Sequence, residues 1–104
     1  MTGRRLNEEE VMAYVRGHTL GCFDPQSERR IATIEYFENG TCRAEFADGT
    51  SDKGRYGFEG DLYWTQYTWF REGGLNRFFL VEVDDLVCQA YFEDGTKAFL
   101  QRAC

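Results

Sequence analysis

The most unusual composition in this chain is an aromatic run at residues 63–70. If this run forms a strand, Trp64 and Phe70 lie on one face, and Tyr63, Tyr67 and Trp69 lie on the other. A strand that is aromatic on both faces can line a ligand pocket or form a contact patch. The alternative is structural: one face belongs to the core, and the other packs under an N-terminal helix.

A second candidate is the carboxylate of Glu35, which lies in a segment of alternating apolar and polar residues. The hairpin register derived below predicts that Glu35 faces the core. A carboxylate there must be paired, hydrogen-bonded or protonated. It could orient a ligand or act as a general base. The alternatives are an ion pair with Lys97 or an arginine, and a different register.

No other residues form a recognisable catalytic group. His18 has no sequence partner that marks a nucleophilic triad, and Asp84-Asp85 falls at a predicted turn. The cysteines at positions 22, 42, 88 and 104 match no zinc or redox spacing. We therefore expect no catalytic residue, no metal site and no cofactor. In a reducing compartment the cysteines should be free thiols, with Cys42 and Cys88 acting as small core residues.

The net charge is −6, from 18 acidic and 12 basic residues, and this argues against nucleic-acid binding through a basic face. The charge could simply maintain solubility, or it could attract a basic protein partner. The apolar stretch at residues 78–81 is too short to span a membrane, and the N-terminus lacks the apolar core of a signal peptide. We expect a cytoplasmic protein with no membrane association, or an exported one if a signal was removed.

The elements that position these residues are indicated by one turn that occurs three times, at residues 38–41, 47–50 and 93–96. Asn-Gly and Asp-Gly tolerate positive φ at both central positions, as a two-residue type I′ hairpin requires. The repeats predict an antiparallel meander in which Gly40, Gly49 and Gly95 have positive φ.

A two-residue loop at Asn39-Gly40 pairs Glu35 with Ala44 and gives the first hairpin a predicted core face. That face comprises Ile31, Thr33, Glu35, Phe37, Cys42, Ala44 and Phe46. The corresponding face of the last hairpin comprises Leu86, Cys88, Ala90, Phe92, Lys97, Phe99 and Gln101. In the middle hairpin, a bulge near Gly54 is needed to turn Tyr56 and Phe58 inward.

The length of 104 residues predicts one domain, residues 1–104, with a helix, a loop and a β-meander. The helix is expected over about residues 8–17, the loop over about 20–30 and the meander over about 30–102. Asn7 and Glu10 should form a capping box, with Leu6 and Val11 as a hydrophobic staple. The meander should contain about seven strands, which tend to curl and to close into a barrel.

The order of motifs resembles that of small bacterial lipocalin-like proteins, which belong to the calycin group of up-and-down β-barrels. The motifs are a short N-terminal helix, Gly17-His18-Thr19-Leu20-Gly21, Tyr-Phe-x-x-Gly-Thr at residues 36–41, and a Gly-x-Tyr motif. The resemblance implies a mostly-β fold, a small calycin-like barrel with one short N-terminal α-helix.

These observations predict a non-enzymatic binding module for a small apolar or aromatic ligand in a lipocalin-like barrel. Its ligand-binding residues would be Tyr63, Trp64, Tyr67 and Trp69, with Glu35 as a polar anchor. The alternative is an acidic protein-interaction or inhibitor domain that acts on a basic partner surface, and a third option is an enzyme of the lipocalin-like kind. A deep pocket would favour the binding module, and a filled core with exposed aromatic residues would favour the interaction domain.

Overall fold

A computed structural model describes residues 3–103 of this chain, so the predicted free thiol of Cys104 lies outside the described residues. The elements in chain order are β1 (Arg4–Arg5), α1 (Glu8–Val15), β2 (Thr19–Phe23), β3 (Arg30–Tyr36), β4 (Thr41–Phe46), β5 (Ser51–Glu59), β6 (Leu62–Tyr67), a short 3₁₀ turn (Phe70–Gly73), β7 (Leu75–Asp84), β8 (Val87–Phe92) and β9 (Lys97–Ala103).

The strands form a closed antiparallel barrel. Each strand from β2 to β9 pairs with the next in sequence, and β9 pairs with β2 to close the cylinder. The ten-residue strand β7 pairs with β6 through its first part and with β8 through its second part. The short strand β1 pairs antiparallel with the second part of β7, at Val81 and Glu82. The mostly-β, curled-meander prediction is confirmed, with eight barrel strands and the short β1 in place of about seven strands.

Helix α1 covers one end of the barrel. The Asn7 side chain accepts a hydrogen bond from the Glu10 amide at 2.9 Å, and the Glu10 side chain accepts one from the Asn7 amide at 3.0 Å, so the predicted capping box is confirmed. Val11 and Val15 are fully buried in the core, together with Leu6. The helix ends at Val15, earlier than the predicted residue 17, because Arg16 is already extended. Over the described residues, no helix is long and apolar enough to cross a membrane.

The three repeated turns are tight hairpins, but each loop contains three residues. In the first, the Gly40 amide donates to the Phe37 carbonyl at 3.2 Å, and the Phe37 amide donates to the Thr41 carbonyl at 2.9 Å. Gly40, Gly49 and Gly95 have φ of 91°, 91° and 92°, as predicted. Within the described residues, glycine alone has positive φ in these loops, so the predicted type I′ geometry is wrong. The loops are type I turns followed by a left-handed glycine.

The residue before each glycine explains the longer loop. The Asn39 side-chain oxygen accepts hydrogen bonds from the Thr41 amide at 3.0 Å and from its hydroxyl at 2.7 Å. Asp48 makes the same two contacts with Thr50, at 2.9 and 2.6 Å. Such side-chain contacts to a residue two positions ahead stabilise the turn without positive φ at Asn or Asp.

The extra loop residue reverses the predicted faces of β3. Ile34 now pairs with Ala44, and Glu35 pairs with Arg43 on the outer face, where Glu35 is exposed. The predicted inward position of Glu35 is therefore wrong, because a slip of one residue moves a strand's side chains to the opposite face. The buried side chains of β3 are Ala32, Ile34 and Tyr36. The partner strand keeps its predicted face, since Cys42 and Ala44 are buried.

The three-residue loop also changes the predicted register of the middle hairpin, whereas in the last hairpin a bulge restores the predicted register. Strand β5 pairs with β4 without a register shift, so no bulge near Gly54 is needed to bury Tyr56. Between β8 and β9, a bulge follows the three-residue loop and restores the predicted pair Ala90–Phe99. Cys88, Ala90 and Gln101 are buried as predicted, while Leu86 and Lys97 are exposed.

The first part of one predicted loop is a strand. The expectation of a loop over about residues 20–30 is wrong for its first part, because β2 occupies Thr19–Phe23. Leu20 and Cys22 face the core from this strand. Gly21 and the nearby Pro25 obscured this short strand in the sequence, and pairing with both β3 and β9 stabilises it. The irregular segment is limited to residues 24–29.

Candidate binding cavity at the distal end of the barrel

The barrel interior contains a cavity of about 60 Å³ near the end opposite α1. We call this the distal end; it is formed by the turns at residues 24–29, 47–50, 68–74 and 93–96. The cavity reaches the surface beside Ile31, which is 39% exposed. It is lined by Cys22, Ile31, Ala32, Ile34, Tyr36, Phe46, Thr65, Tyr67, Phe70, Asn76, Phe78 and Phe99. None of these lining side chains carries a full charge at pH 7.

Four aromatic side chains pack together beside the cavity, and we call them the aromatic rim: Phe46, Tyr67, Trp69 and Phe70. The Phe70 ring lies 4.7 Å from that of Phe46 and 5.6 Å from that of Tyr67, between ring centroids. The Trp69 ring lies 5.6 Å from Phe46 and is 51% exposed. These separations are typical of favourable aromatic pairs. The rim therefore presents apolar surface to solvent next to an apolar cavity.

The buried carboxylate of Asp52 positions the rim. Its Oδ2 atom accepts hydrogen bonds from the amides of Trp69 and Phe70, at 2.8 and 2.9 Å. Its Oδ1 atom accepts one from the Lys53 amide at 2.7 Å. Burial opposes ionisation of Asp52, but the three amide donors outweigh burial and lower its pKa below the ordinary value. Asp52, the second residue of β5, thus connects the start of this strand to the segment that carries Trp69 and Phe70.

The segment that follows Phe70 has a strained backbone. Arg71 and Glu72 have φ of 53° and 58°, and Gly73 has φ of 72°. Left-handed backbone costs roughly 1–2 kcal/mol for each residue that has a side chain. The contacts of Asp52 with Trp69 and Phe70 and the packing of Phe70 hold the chain in this conformation.

The structure separates the five predicted site residues. Tyr67 lines the cavity, Trp69 belongs to the aromatic rim, and Tyr63 is fully buried in the interior. Trp64 lies on the outer face of the barrel opposite Gly57, where a Cβ atom would come within 2.7 Å of the indole ring. Glu35 also lies on the outer face. Of the predicted set, Tyr67 alone is among the residues that line the cavity.

The predicted faces of the aromatic run are correct only as far as Tyr67. Strand β6 ends there, and Phe70 then packs inward on the side of Tyr67. Asp52 causes this change, because it binds the amides of Trp69 and Phe70 and so ends the extended backbone.

Sequence reasoning missed Tyr36, Phe46, Asp52 and Phe70 as residues of the candidate site. Phe46 was placed on the core face but was not assigned to the site. The sequence feature that could have identified Asp52 as an inward residue is its spacing of four from Tyr56, which puts both on the same face of β5. Only the three-residue loops show that this face is the interior.

The described residues suggest no metal centre. Within residues 3–103, no group of three or more His, Cys, Asp or Glu side chains could hold a metal ion. Comparison with known proteins yields no match among family models, curated proteins or solved structures. The closed antiparallel barrel with one helix is consistent with the calycin-like architecture that the resemblance implied. Membership of the lipocalin-like proteins stays a prediction.

Proposed function

We propose that this protein is a binding module for a small apolar or aromatic ligand, which enters the barrel at the distal end. The observation that supports this function is an uncharged, mostly apolar cavity that reaches the surface beside the aromatic rim. Protein interiors are normally close-packed, and ligand sites are usually concave and apolar with a few polar groups. The distal end has these properties, with Thr65 and Asn76 as polar members of the lining.

The size of the cavity limits the ligand. A volume of about 60 Å³ is well below the roughly 300–1,000 Å³ that sites for larger organic ligands occupy. The ligand must therefore be small, or only part of it lies inside and the rest covers the mouth. Ile31 and Trp69 offer exposed apolar surface for the outer part.

Toluene is a suitable probe, because it is small, apolar and aromatic. We expect its addition to shift the NMR signals of backbone amides at the distal end, around Ile31, Phe46 and Phe70. Replacing Trp69 with alanine should weaken toluene binding about fivefold, which corresponds to a loss of about 1 kcal/mol of aromatic contact.

The matched control is Trp64→Ala, which removes the same indole from the outer face. It should leave the affinity for toluene unchanged, and denaturant unfolding of both variants would show that each is folded. Equal losses in the two variants, or shifts spread evenly over the barrel, would contradict binding at the distal end.

Action on a basic protein partner stays a prediction, as does the cytoplasmic location.

A further inference from the structure

The interior of the barrel contains a group of polar side chains that the proposed apolar contacts do not use. We call Tyr36, Tyr63, Tyr67 and Gln101 the polar cluster. They are 1%, 0%, 6% and 0% exposed. Among the described residues, none makes a hydrogen bond of ordinary geometry with the three hydroxyls or with either polar atom of the Gln101 side chain. The closest polar groups are within the cluster, where Tyr63 lies near Tyr36 and Gln101, and at the Cys42 thiol, which lies near Tyr67. Nearly all buried polar groups in proteins are hydrogen-bonded, so a group like this requires an explanation.

The polar cluster lies next to the cavity. Tyr36 and Tyr67 belong to the cavity lining. The Tyr63 ring packs edge-to-face on Tyr36, with 6.3 Å between centroids, and Tyr63 is not among the lining residues. Gln101 lies on β9 opposite Cys22, which also lines the cavity. A ligand in the cavity would therefore contact Tyr36 and Tyr67, whereas Tyr63 and Gln101 are not part of the lining.

The chemistry of the cluster selects a neutral ligand. Burial raises the pKa of Tyr36, Tyr63 and Tyr67 above the ordinary value, so all three hydroxyls keep their protons. A hydroxyl both donates and accepts hydrogen bonds, and so does a carboxamide. The lining contains no Lys, Arg or His to balance an anion, and the nearby buried charge of Asp52 is negative. A buried anionic head would remain uncompensated.

We propose that the ligand is a small neutral alcohol or phenol, whose hydroxyl group bonds to Tyr36 and Tyr67 while its apolar body fills the distal end. This inference rests on the proposed function and adds the chemical class of the ligand. The hydroxyl of such a ligand can accept from one phenol and donate to the other. It would thereby give hydrogen bonds to two buried hydroxyls that make none of ordinary geometry with the described residues.

Phenol and toluene test the inference, since they have nearly the same shape and differ in one hydroxyl for one methyl group. An apolar cavity without partners for the hydroxyl prefers toluene, because the phenol hydroxyl loses its bonds to water. We expect the wild-type protein to bind phenol at least as tightly as toluene in NMR titrations. Tyr67→Phe should weaken phenol binding about tenfold and leave toluene binding unchanged. Tyr36→Phe should act in the same way and provides a second variant.

The control is Tyr56→Phe, whose hydroxyl already donates to the Phe37 carbonyl and does not line the cavity. It should change the affinity for neither probe. If toluene binds more tightly than phenol and Tyr67→Phe leaves their ratio unchanged, the hydroxyl inference fails while the proposed function stands. If neither probe binds, both fail. Tighter binding of benzoate than of phenol would overturn the choice of a neutral ligand.

Discussion

At the scale of single residues, two buried tyrosines in similar surroundings differ in their hydrogen bonding. Tyr56 donates to the Phe37 carbonyl at 2.5 Å, whereas the Tyr63 hydroxyl lies near Tyr36 and Gln101 but makes no hydrogen bond of ordinary geometry with a described residue. Both rings pack against Tyr36. A hydrogen bond typically contributes about 1 kcal/mol, while a buried group without a partner costs about 1–3 kcal/mol. The hydroxyl of Tyr63 therefore opposes folding, in contrast to that of Tyr56.

We predict opposite effects of removing these two hydroxyls in the absence of ligand. Tyr63→Phe should raise the free energy of unfolding by about 1 kcal/mol, because it removes a buried polar atom that makes no hydrogen bond of ordinary geometry with the described residues. Tyr56→Phe should lower it by a similar amount. Urea unfolding followed by circular dichroism measures both changes. A loss of stability in Tyr63→Phe would mean that its hydroxyl is satisfied within the folded protein.

At the scale of elements, the segment between β6 and β7 depends on a contact from β5. The Asp52 carboxylate accepts the amides of Trp69 and Phe70, and the next two residues are left-handed. Hydrogen bonds to a charged group are stronger than those between neutral groups. The ionised form of Asp52 should therefore stabilise the aromatic rim, and protonation should weaken it.

The pH dependence of stability tests this role. Since the pKa of Asp52 is lowered in the folded protein, its contribution is present above the unfolded value of about 3.9 and is lost as the pH falls through the folded value. Asp52→Asn should lower the free energy of unfolding by about 2 kcal/mol at pH 7.

The difference in free energy of unfolding between wild type and Asp52→Asn should become smaller as the pH falls below about 4, because the wild-type carboxyl then also becomes neutral. Glu45→Gln is the control, because it changes an exposed carboxylate on the neighbouring strand and should have little effect. If the loss of stability in Asp52→Asn is the same at every pH, the charge of Asp52 has no role, and the loss comes from the change in side-chain shape and hydrogen bonding.

At the scale of the whole molecule, closure of the barrel buries thiols on separate strands. Cys42 on β4 and Cys88 on β8 are 2% and 3% exposed, which confirms their prediction as core residues. Burial raises the pKa of each thiol to about 11. Because the thiolate is the reactive form, both the barrel wall and the raised pKa protect these residues.

We predict that iodoacetamide alkylates Cys42 and Cys88 at least about a hundredfold more slowly in the folded protein than in urea at pH 8, given the smaller thiolate fraction. Mass spectrometry of tryptic peptides assigns the rate to each residue. Similar rates at the two sites are expected, since both require the barrel to open. Fast alkylation of one site in the folded protein would show local opening at its strand.

Local residue patterns are sufficient to predict where the chain turns and where the helix begins. Asn-Gly and Asp-Gly located the three hairpins and placed positive φ on Gly40, Gly49 and Gly95. Asn7 and Glu10 marked the start of α1. These features depend on residues within a few positions of one another, so their residue types are sufficient to predict them.

The inward face of each strand and the composition of the candidate site depend on contacts between distant parts of the chain, which local patterns do not specify. An alternating pattern fits two registers that differ by one residue, and Asn-Gly is compatible with loops of two or three residues. The three-residue loops placed Glu35 outside and Tyr36 inside. The inward packing of Phe70 depends on a hydrogen bond to Asp52, which is 18 positions away in sequence. The cavity, its aromatic rim and its polar cluster arise from such long-range contacts, which closure of the barrel creates and local residue patterns do not specify.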